Sequence, residues 1–206
     1  MKRWVLLLIV SAVAGSGCLT VSQPSPQIRD YRLDYPAPAI QGEALPVVLS
    51  IPTLSVAAAY DRESIVYRED GYSIGRYFYH RWTSNPGSLI ADLLARDFAR
   101  SGLYRAVQAG RSPLRPDYQL LGTVEEIEER ATDQACVAHL ALRVQLLRVA
   151  AGEGSPVVLQ RGYSEDEPTT CGEPRVLTEA MSRSMERIAA ALQRDAYDAI
   201  VSDRRM

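Results

Sequence analysis

The sequence has few of the residues and motifs on which enzyme active sites depend. It contains two histidines, His80 and His139, and it lacks a phosphate-binding P-loop and a dinucleotide-binding glycine motif. Gly71-Tyr72-Ser73-Ile74-Gly75 has the G-x-S-x-G spacing, but we interpret it as a turn and not as a nucleophile elbow, which requires a strand before it and a helix after it. Either histidine could in principle join a serine and an acid in a triad, but nothing in the pattern brings such groups together. We therefore interpret both histidines as structural, and expect no catalytic residue, no cofactor and no metal.

An excess of positive charge is also absent. The formal net charge is −2, and the 23 basic and 25 acidic residues are interspersed along the chain. Proteins that bind nucleic acid usually carry a basic surface that contacts phosphates, so this composition argues against that class of partner. One acidic run is interpreted as the hydrated end of a strand rather than an ion or partner site, and it comprises Glu125, Glu126, Glu128 and Glu129.

The apolar run near the N-terminus is too short to span a membrane. It covers residues 4–13, about half of the roughly 20 residues that a membrane-spanning helix needs. A basic segment precedes it, and small residues lead into Cys18, a pattern typical of a bacterial lipoprotein signal peptide over residues 1–17. The alternative is an ordinary secretory leader with an unmodified cysteine.

Residues 18–30 are predicted to form a lipidated cysteine and a flexible, proline-containing tether. A lipid anchor at Cys18 would hold the chain to a membrane. Leu19 follows the cysteine where an aspartate would direct retention at the inner membrane, by resemblance to enteric sorting rules. We therefore expect the periplasmic face of the outer membrane.

Lipidation of Cys18 leaves two other cysteines, Cys136 and Cys171. Predicted strands at residues 137–149 and 157–163 flank a glycine-rich turn. If they pair as an antiparallel hairpin, facing residue numbers sum to about 306, which places Cys136 opposite about residue 170. We predict a disulfide between Cys136 and Cys171, favoured by an oxidising compartment. Two free buried thiols, or a metal pair without CxxC spacing, are the alternatives.

The stretch at residues 61–102 is predicted to be a hairpin followed by a capped helix. Its helix has Asn85 as N-cap, Pro86 at the first position and Gly102 after the end. On this helix Asp92 and Asp97 are expected to face solvent. Alternation along the second strand predicts an apolar face with Tyr72, Ile74, Arg76, Phe78, His80 and Trp82, and an opposite face with Tyr77, Tyr79 and Arg81.

The remaining patterns predict strands at residues 29–35, 47–56, 104–109 and 118–127, and a long helix beginning at Pro174. The order of elements indicates an α+β fold of two layers, in which a mainly antiparallel sheet is packed by two amphipathic helices. We expect a single domain over residues 31–206, with the last residues, 203–206, frayed.

The segment Ile65-Val66-Tyr67-Arg68, the turn after it, the alternating residues that end in Arg81-Trp82 and the leucine-rich helix resemble the ABC-type transport auxiliary lipoprotein family. The best known members are PqiC-like intermembrane-transport lipoproteins. The resemblance runs from Tyr31 to the C-terminal helix and is most specific over residues 62–94. Thr83-Ser84-Asn85-Pro86 departs from the Glu-Pro-Leu-like segment that the family pattern leads us to expect.

The resemblance implies a non-catalytic accessory lipoprotein of an intermembrane lipid-transport system. It further implies two partners, an ABC permease complex and a periplasmic MCE-domain protein that is docked at the outer membrane. A homo-oligomer, formed through the C-terminal helix or an exposed strand edge, is a further expectation. The alternative is a structural or assembly lipoprotein of another envelope machine, such as a lipopolysaccharide or secretion apparatus.

A partner interface is predicted where aromatic and arginine side chains concentrate, because these types are enriched at protein interfaces. The alternative is that most of them brace the sheet. The candidate residues are Tyr67, Arg68, Tyr77, Tyr79, Arg81 and Trp82.

Overall fold

A computed structural model describes residues 26–110, 115–131, 135–149 and 156–205 of the chain. The predicted signal peptide and Cys18 lie outside these residues. In chain order the described elements are β1 (Arg29–Tyr31), β2 (Leu45–Ile51), β3 (Ser55–Val56), β4 (Ser64–Arg68), β5 (Ile74–Trp82), α1 (Pro86–Arg100), β6 (Tyr104–Ala109), β7 (Tyr118–Ala131), β8 (Cys136–Arg148), β9 (Val157–Thr169) and α2 (Pro174–Asp203).

The long strand β7 is the centre of one nine-stranded sheet. On one side it pairs with β8, which pairs with β9. On its other side three strands follow one another along its length, β2 at its start, β3 at its middle and β4 near its end. Beyond β2 lies β6, and beyond β4 lie β5 and then β1. The sheet therefore divides into two branches on that side of β7.

The sheet is mixed, so the expectation of a mainly antiparallel sheet is not confirmed. Of the eight pairings between described strands, three are antiparallel and five are parallel. Alternation of apolar residues shows which side chains face a core, but it does not show the direction of the neighbouring strand. The α+β class with two helices is confirmed.

Helix α1 begins and ends as the sequence predicts. The side-chain oxygen of Asn85 accepts a hydrogen bond of 2.9 Å from the Gly87 amide, and Gly102 has a φ of 69° after the helix. Asp97, however, is fully buried, which corrects our expectation that it faces solvent. It accepts a hydrogen bond of 2.7 Å from the Tyr35 hydroxyl, because the chain between β1 and β2 covers that side of the helix.

Helix α2 packs against β8 and β9. The apolar stripe predicted from the sequence is buried and includes Leu177, Met181, Met185, Ile188, Leu192 and Ile200. The helix remains ordered to Asp203, which is buried and accepts a 2.8 Å hydrogen bond from the Tyr118 hydroxyl. Fraying from residue 203 onward is therefore wrong for Asp203, because its carboxylate is held by the first residue of β7.

Candidate functional site

A groove of about 560 Å³ lies beside the hairpin formed by β4 and β5. We define it by Tyr67 and Arg68 of β4, residues 76–80 of β5, Glu129 of β7, and the disulfide with its neighbour Gly172. Five consecutive residues of β5 contribute, so both faces of that strand border the groove. The groove thus follows the margin of the sheet.

The aromatic wall of the groove depends on a glycine. Tyr67 lies opposite Gly75 in the register of the β4–β5 hairpin. A Cβ atom on Gly75 would come within 2.2 Å of the Tyr67 ring, so only glycine admits the ring at this place. The ring then lies 5.0 Å from that of Tyr77, measured between centroids.

The disulfide closes one end of the groove. The β8–β9 hairpin pairs Cys136 with Thr169, and Cys171, two residues further on, forms the predicted bond with Cys136. Gly172 follows with a φ of 74°, a conformation that glycine adopts without strain. Its amide donates a 3.1 Å hydrogen bond to Oε1 of Glu129. The covalent bridge therefore positions this amide against the carboxylate.

Glu129 is only 5% exposed, and its two oxygens differ. Oε1 accepts hydrogen bonds of 3.1 Å from both the Tyr77 hydroxyl and the Gly172 amide. Oε2 is buried and has no hydrogen-bond partner among the described residues. Burial, and then the negative charge of Glu129, raise the pKa of Tyr77 above its usual range. The groove wall therefore holds a carboxylate that is half satisfied.

The next residue along β7 toward its start, Glu128, points to the opposite face of the sheet and is fully buried. Its carboxylate lies 3.0 Å from Arg68 and from Arg130, and accepts a 2.7 Å hydrogen bond from Tyr60. Burial, and then this hydrogen bond, raise the pKa of Tyr60 to about 12.

The charges around Glu128 form a connected set. Glu126 pairs with Arg130 and lies 3.3 Å from Nε2 of His139. The other ring nitrogen of His139 lies 2.6 Å from Asp166. We call this set the charge cluster, and its members are Arg68, Glu126, Glu128, Arg130, His139 and Asp166.

Our interpretation of the acidic run as hydrated is wrong for Glu128 and Glu129. The strand does not end at Ile127 but continues to Ala131, between β4 and β8. These glutamates therefore lie inside the sheet, where alternation sends one to the charge cluster and the other to the groove.

The predicted interface residues separate into two groups. Tyr67, Arg68, Tyr77 and Tyr79 line the groove. Arg81 instead lies 3.0 Å from Asp30 of β1. Trp82 is buried in the core and is not available to a partner, which corrects its place among the candidates.

The predicted apolar face of β5 is largely exposed. Phe78 is 83% exposed, Tyr72, just before the strand, is 98% exposed, and Ile74 is about half exposed, as is Tyr79 on the opposite face. The hairpin extends beyond the core, so the alternation predicted a shared face correctly but not its burial. On the predicted apolar face Trp82, at the end of the strand, belongs to the core, and Tyr77 of the opposite face packs against it.

The outer edge of β5 has no described strand beside it over residues 74–79. Strand β1 pairs only with His80, Arg81 and Trp82, and none of the described strands pairs with the rest of this edge. Exposed apolar side chains and unpaired backbone groups therefore occur together beside the groove. Sequence reasoning missed Glu129, Gly172 and Gly75 as site residues, although a glycine inside an alternating strand is a signal for a close approach.

Both histidines have structural contacts. The Tyr31 hydroxyl lies 2.9 Å from Nδ1 of His80, and His139 lies between two carboxylates of the charge cluster. Over the described ranges no group of three or more His, Cys, Asp or Glu side chains is arranged to hold a metal ion. None of the described helices is long and apolar enough to cross a membrane.

The family model described as ABC-type transport auxiliary lipoprotein component matches residues 31–193. A protein from Xanthomonas campestris has a similar structure, with a TM-score of 0.77 at 19% identity, covering 86% of this chain and 99% of that one. An uncharacterised protein gives a TM-score of 0.62 at 13% identity, covering 82% and 98%. At such identities the likeness shows the fold. No curated protein matches the chain significantly.

Proposed function

Because the chain belongs to the ABC-type transport auxiliary lipoprotein family, we propose that it serves as the outer-membrane accessory lipoprotein of an intermembrane lipid-transport system. In this proposal Cys18 carries the lipid anchor, and residues 18–30 connect it to the domain on the periplasmic face. The domain docks a periplasmic MCE-domain protein, which works with an ABC permease complex. The observation that carries the proposal is the family match over residues 31–193.

The surface beside β5 supports a docking role. Exposed aromatic residues such as Phe78 and Tyr79 adjoin a groove that contains both apolar and charged groups. Protein interfaces typically combine aromatic contacts at the centre with polar groups around them. We therefore propose that the groove and the exposed part of β5 form the docking surface, which retains four of the residues predicted from the sequence.

Affinity capture from detergent-solubilised envelope tests this function. The full chain would be captured as wild type, as Cys18→Ala and as Phe78→Asp, with Val157→Asp as a control at an exposed apolar residue at the far end of the β8–β9 hairpin. We expect wild type and Val157→Asp to recover an MCE-domain protein and its permease. We expect Phe78→Asp to lose them and Cys18→Ala to leave the membrane fraction.

Two results would contradict the proposal. Recovery of a lipopolysaccharide or secretion apparatus would favour an assembly lipoprotein of another envelope machine. Sedimentation of the anchored chain with the inner membrane in a density gradient would contradict the proposed location, whatever partner is captured.

A further inference from the structure

We propose that the groove binds a basic side chain of a partner protein, presented on an extended segment that pairs with the open edge of β5. This deepens the proposed function and rests on it only for the identity of that partner. Two features carry the inference, the half-satisfied carboxylate of Glu129 and the unpaired edge at residues 74–79.

The carboxylate defines the chemistry of the ligand. A buried oxygen without a hydrogen bond is unfavourable, and native proteins rarely leave one. The guanidinium of Arg68, although it borders the groove, is directed to Glu128 and Tyr60 on the other face of the sheet. Glu129 borders the groove, so a rotation of its carboxylate would present the unpaired Oε2 to a donor there, and a cationic donor would also neutralise its charge.

The walls of the groove suit a long basic side chain. The rings of Tyr67 and Tyr77 lie beside Glu129, and aromatic faces attract ammonium and guanidinium groups. A volume of about 560 Å³ is sufficient for one extended side chain and part of its backbone. Arg76 also borders the groove but does not satisfy Oε2 of Glu129, so an acidic ligand would still place like charges together near that carboxylate.

The edge of β5 defines the conformation of the ligand. An extended peptide that adds to a sheet edge gains main-chain hydrogen bonds, and its alternate side chains enter neighbouring pockets. Residues 76–80 border the groove while residues 74–79 form the open edge, so both contacts fall on the same strand. Exposed Phe78 and Ile74 offer apolar contacts to the side chains of the added strand.

Synthetic peptides test the inference directly. The probe is acetyl-Thr-Val-Thr-Lys-Thr-Val-Thr-amide, compared with peptides that carry arginine, norleucine or glutamate at the central position. Binding to the full chain in detergent would be measured by calorimetry. We expect the lysine and arginine peptides to bind at least about tenfold more tightly than the norleucine peptide, since a buried charge pair is gained.

Glu129→Gln should abolish this preference. The glutamine oxygen can still accept from Tyr77 and Gly172, so the variant keeps the wall while removing the charge. Glu179→Gln is the matched control, because Glu179 is on α2 and pairs with Arg175. N-methylation removes a backbone hydrogen-bond donor, and alternate N–H groups of a strand point to the same edge. Two peptides methylated at the odd-numbered or the even-numbered nitrogens should therefore differ in affinity, because only one of these sets faces the edge of β5. Equal affinity for basic, neutral and acidic peptides, or no binding at millimolar concentration, would overturn the inference.

Cross-linking locates the bound side chain. Lys2, in the predicted signal peptide, is the only lysine of the chain. A carbodiimide that joins carboxylates to amines should therefore link the lysine peptide to Glu129, or to Glu69 at the rim of the groove. Links confined to carboxylates outside the groove would contradict the proposed site.

The outcomes separate this inference from the proposed function. Peptide binding that depends on Glu129, together with failed capture of an MCE-domain protein, would retain the site and reject the partner. Successful capture that Glu129→Gln does not alter would retain the function and reject the site. Binding of phosphatidylethanolamine vesicles in place of peptides, or self-association that requires Glu129, would also reject a basic segment of a partner.

Discussion

Glu128 and Glu129 are neighbours on β7, yet their surroundings differ. Each accepts a hydrogen bond from a tyrosine, Tyr60 at 2.7 Å for Glu128 and Tyr77 at 3.1 Å for Glu129. Glu128 also has Arg68 and Arg130 within 3.0 Å. Glu129 has the Gly172 amide but no cation in contact among the described residues, and one of its oxygens is unpaired.

This difference separates a satisfied charge cluster from the proposed binding site. The charge cluster is complete, because two guanidinium groups and a hydroxyl satisfy the buried carboxylate of Glu128. A buried charge with complete partners contributes to the fold when its partners stay in place. In the groove, by contrast, Oε2 of Glu129 lacks a hydrogen-bond donor, and a ligand can supply one. The following predictions break or sharpen this contrast.

The largest effect is expected when the groove loses its disulfide. A cross-link between residues 35 apart stabilises a protein by roughly 4 kcal/mol in the chain-entropy model. We therefore expect Cys136→Ala/Cys171→Ala to lower the free energy of unfolding by about that amount in urea titrations followed by circular dichroism. Cys18→Ala is the control and should leave the unfolding curve unchanged. Equal curves for all three chains would contradict the prediction.

A matched pair of substitutions compares the two glutamates directly. Glu128→Gln should lower the free energy of unfolding by about 2–3 kcal/mol, because Arg68 and Arg130 lose their shared counter-charge. Glu129→Gln should change it by less than about 1 kcal/mol, since the amide oxygen still accepts both hydrogen bonds. Urea unfolding measures both values. If Glu129→Gln proved as destabilising as Glu128→Gln, the groove glutamate would be a structural residue.

The aromatic wall can be disturbed without changing a charge. Gly75→Ala should lower the free energy of unfolding by about 1–3 kcal/mol, because the new methyl group overlaps the ring of Tyr67. The matched control is Gly71→Ala, where a Cβ would meet nothing within 4 Å. Adding Tyr67→Ala to Gly75→Ala should recover part of the loss. Urea unfolding that shows no recovery would exclude the ring as the cause.

The smallest effect is expected at alkaline pH. Folding raises the pKa of Tyr60 to about 12 from its ordinary value near 10, through burial and its hydrogen bond to Glu128. The folded state therefore holds this proton more tightly, so the contribution of Tyr60 is complete below pH 10 and is lost as pH rises toward 12. Tyr60→Phe should show a shallower fall in stability between these values, measured by urea unfolding. An unchanged slope would contradict the assignment.

Local features were predictable where neighbouring residues in the chain decide them. Asn85, Pro86 and Gly102 define the ends of α1 because capping depends on residues within one turn. The disulfide followed from the spacing of Cys136 and Cys171 about a single turn, since a hairpin aligns residues by their distance from that turn. The groove was only partly predictable. Its aromatic residues were recognised, whereas Glu129 looked like a residue at a hydrated strand end.

The amino-acid sequence by itself determined the helices, most strands, the cysteine pair and the family. The helices, the strands and the cysteine pair depend on periodicity, capping and spacing, which act over short distances along the chain, whereas the family was indicated by resemblance. Only the tertiary structure decided that β2, β3 and β4 share one side of β7, and that Phe78 is exposed while Asp97 and Glu128 are buried. Burial depends on which distant segments of the chain cover a residue. Alternation shows which residues share a face of a strand, but it does not show what packs against that face. Glu129 borders a groove because β4, β5 and the Cys171–Gly172 turn meet around it.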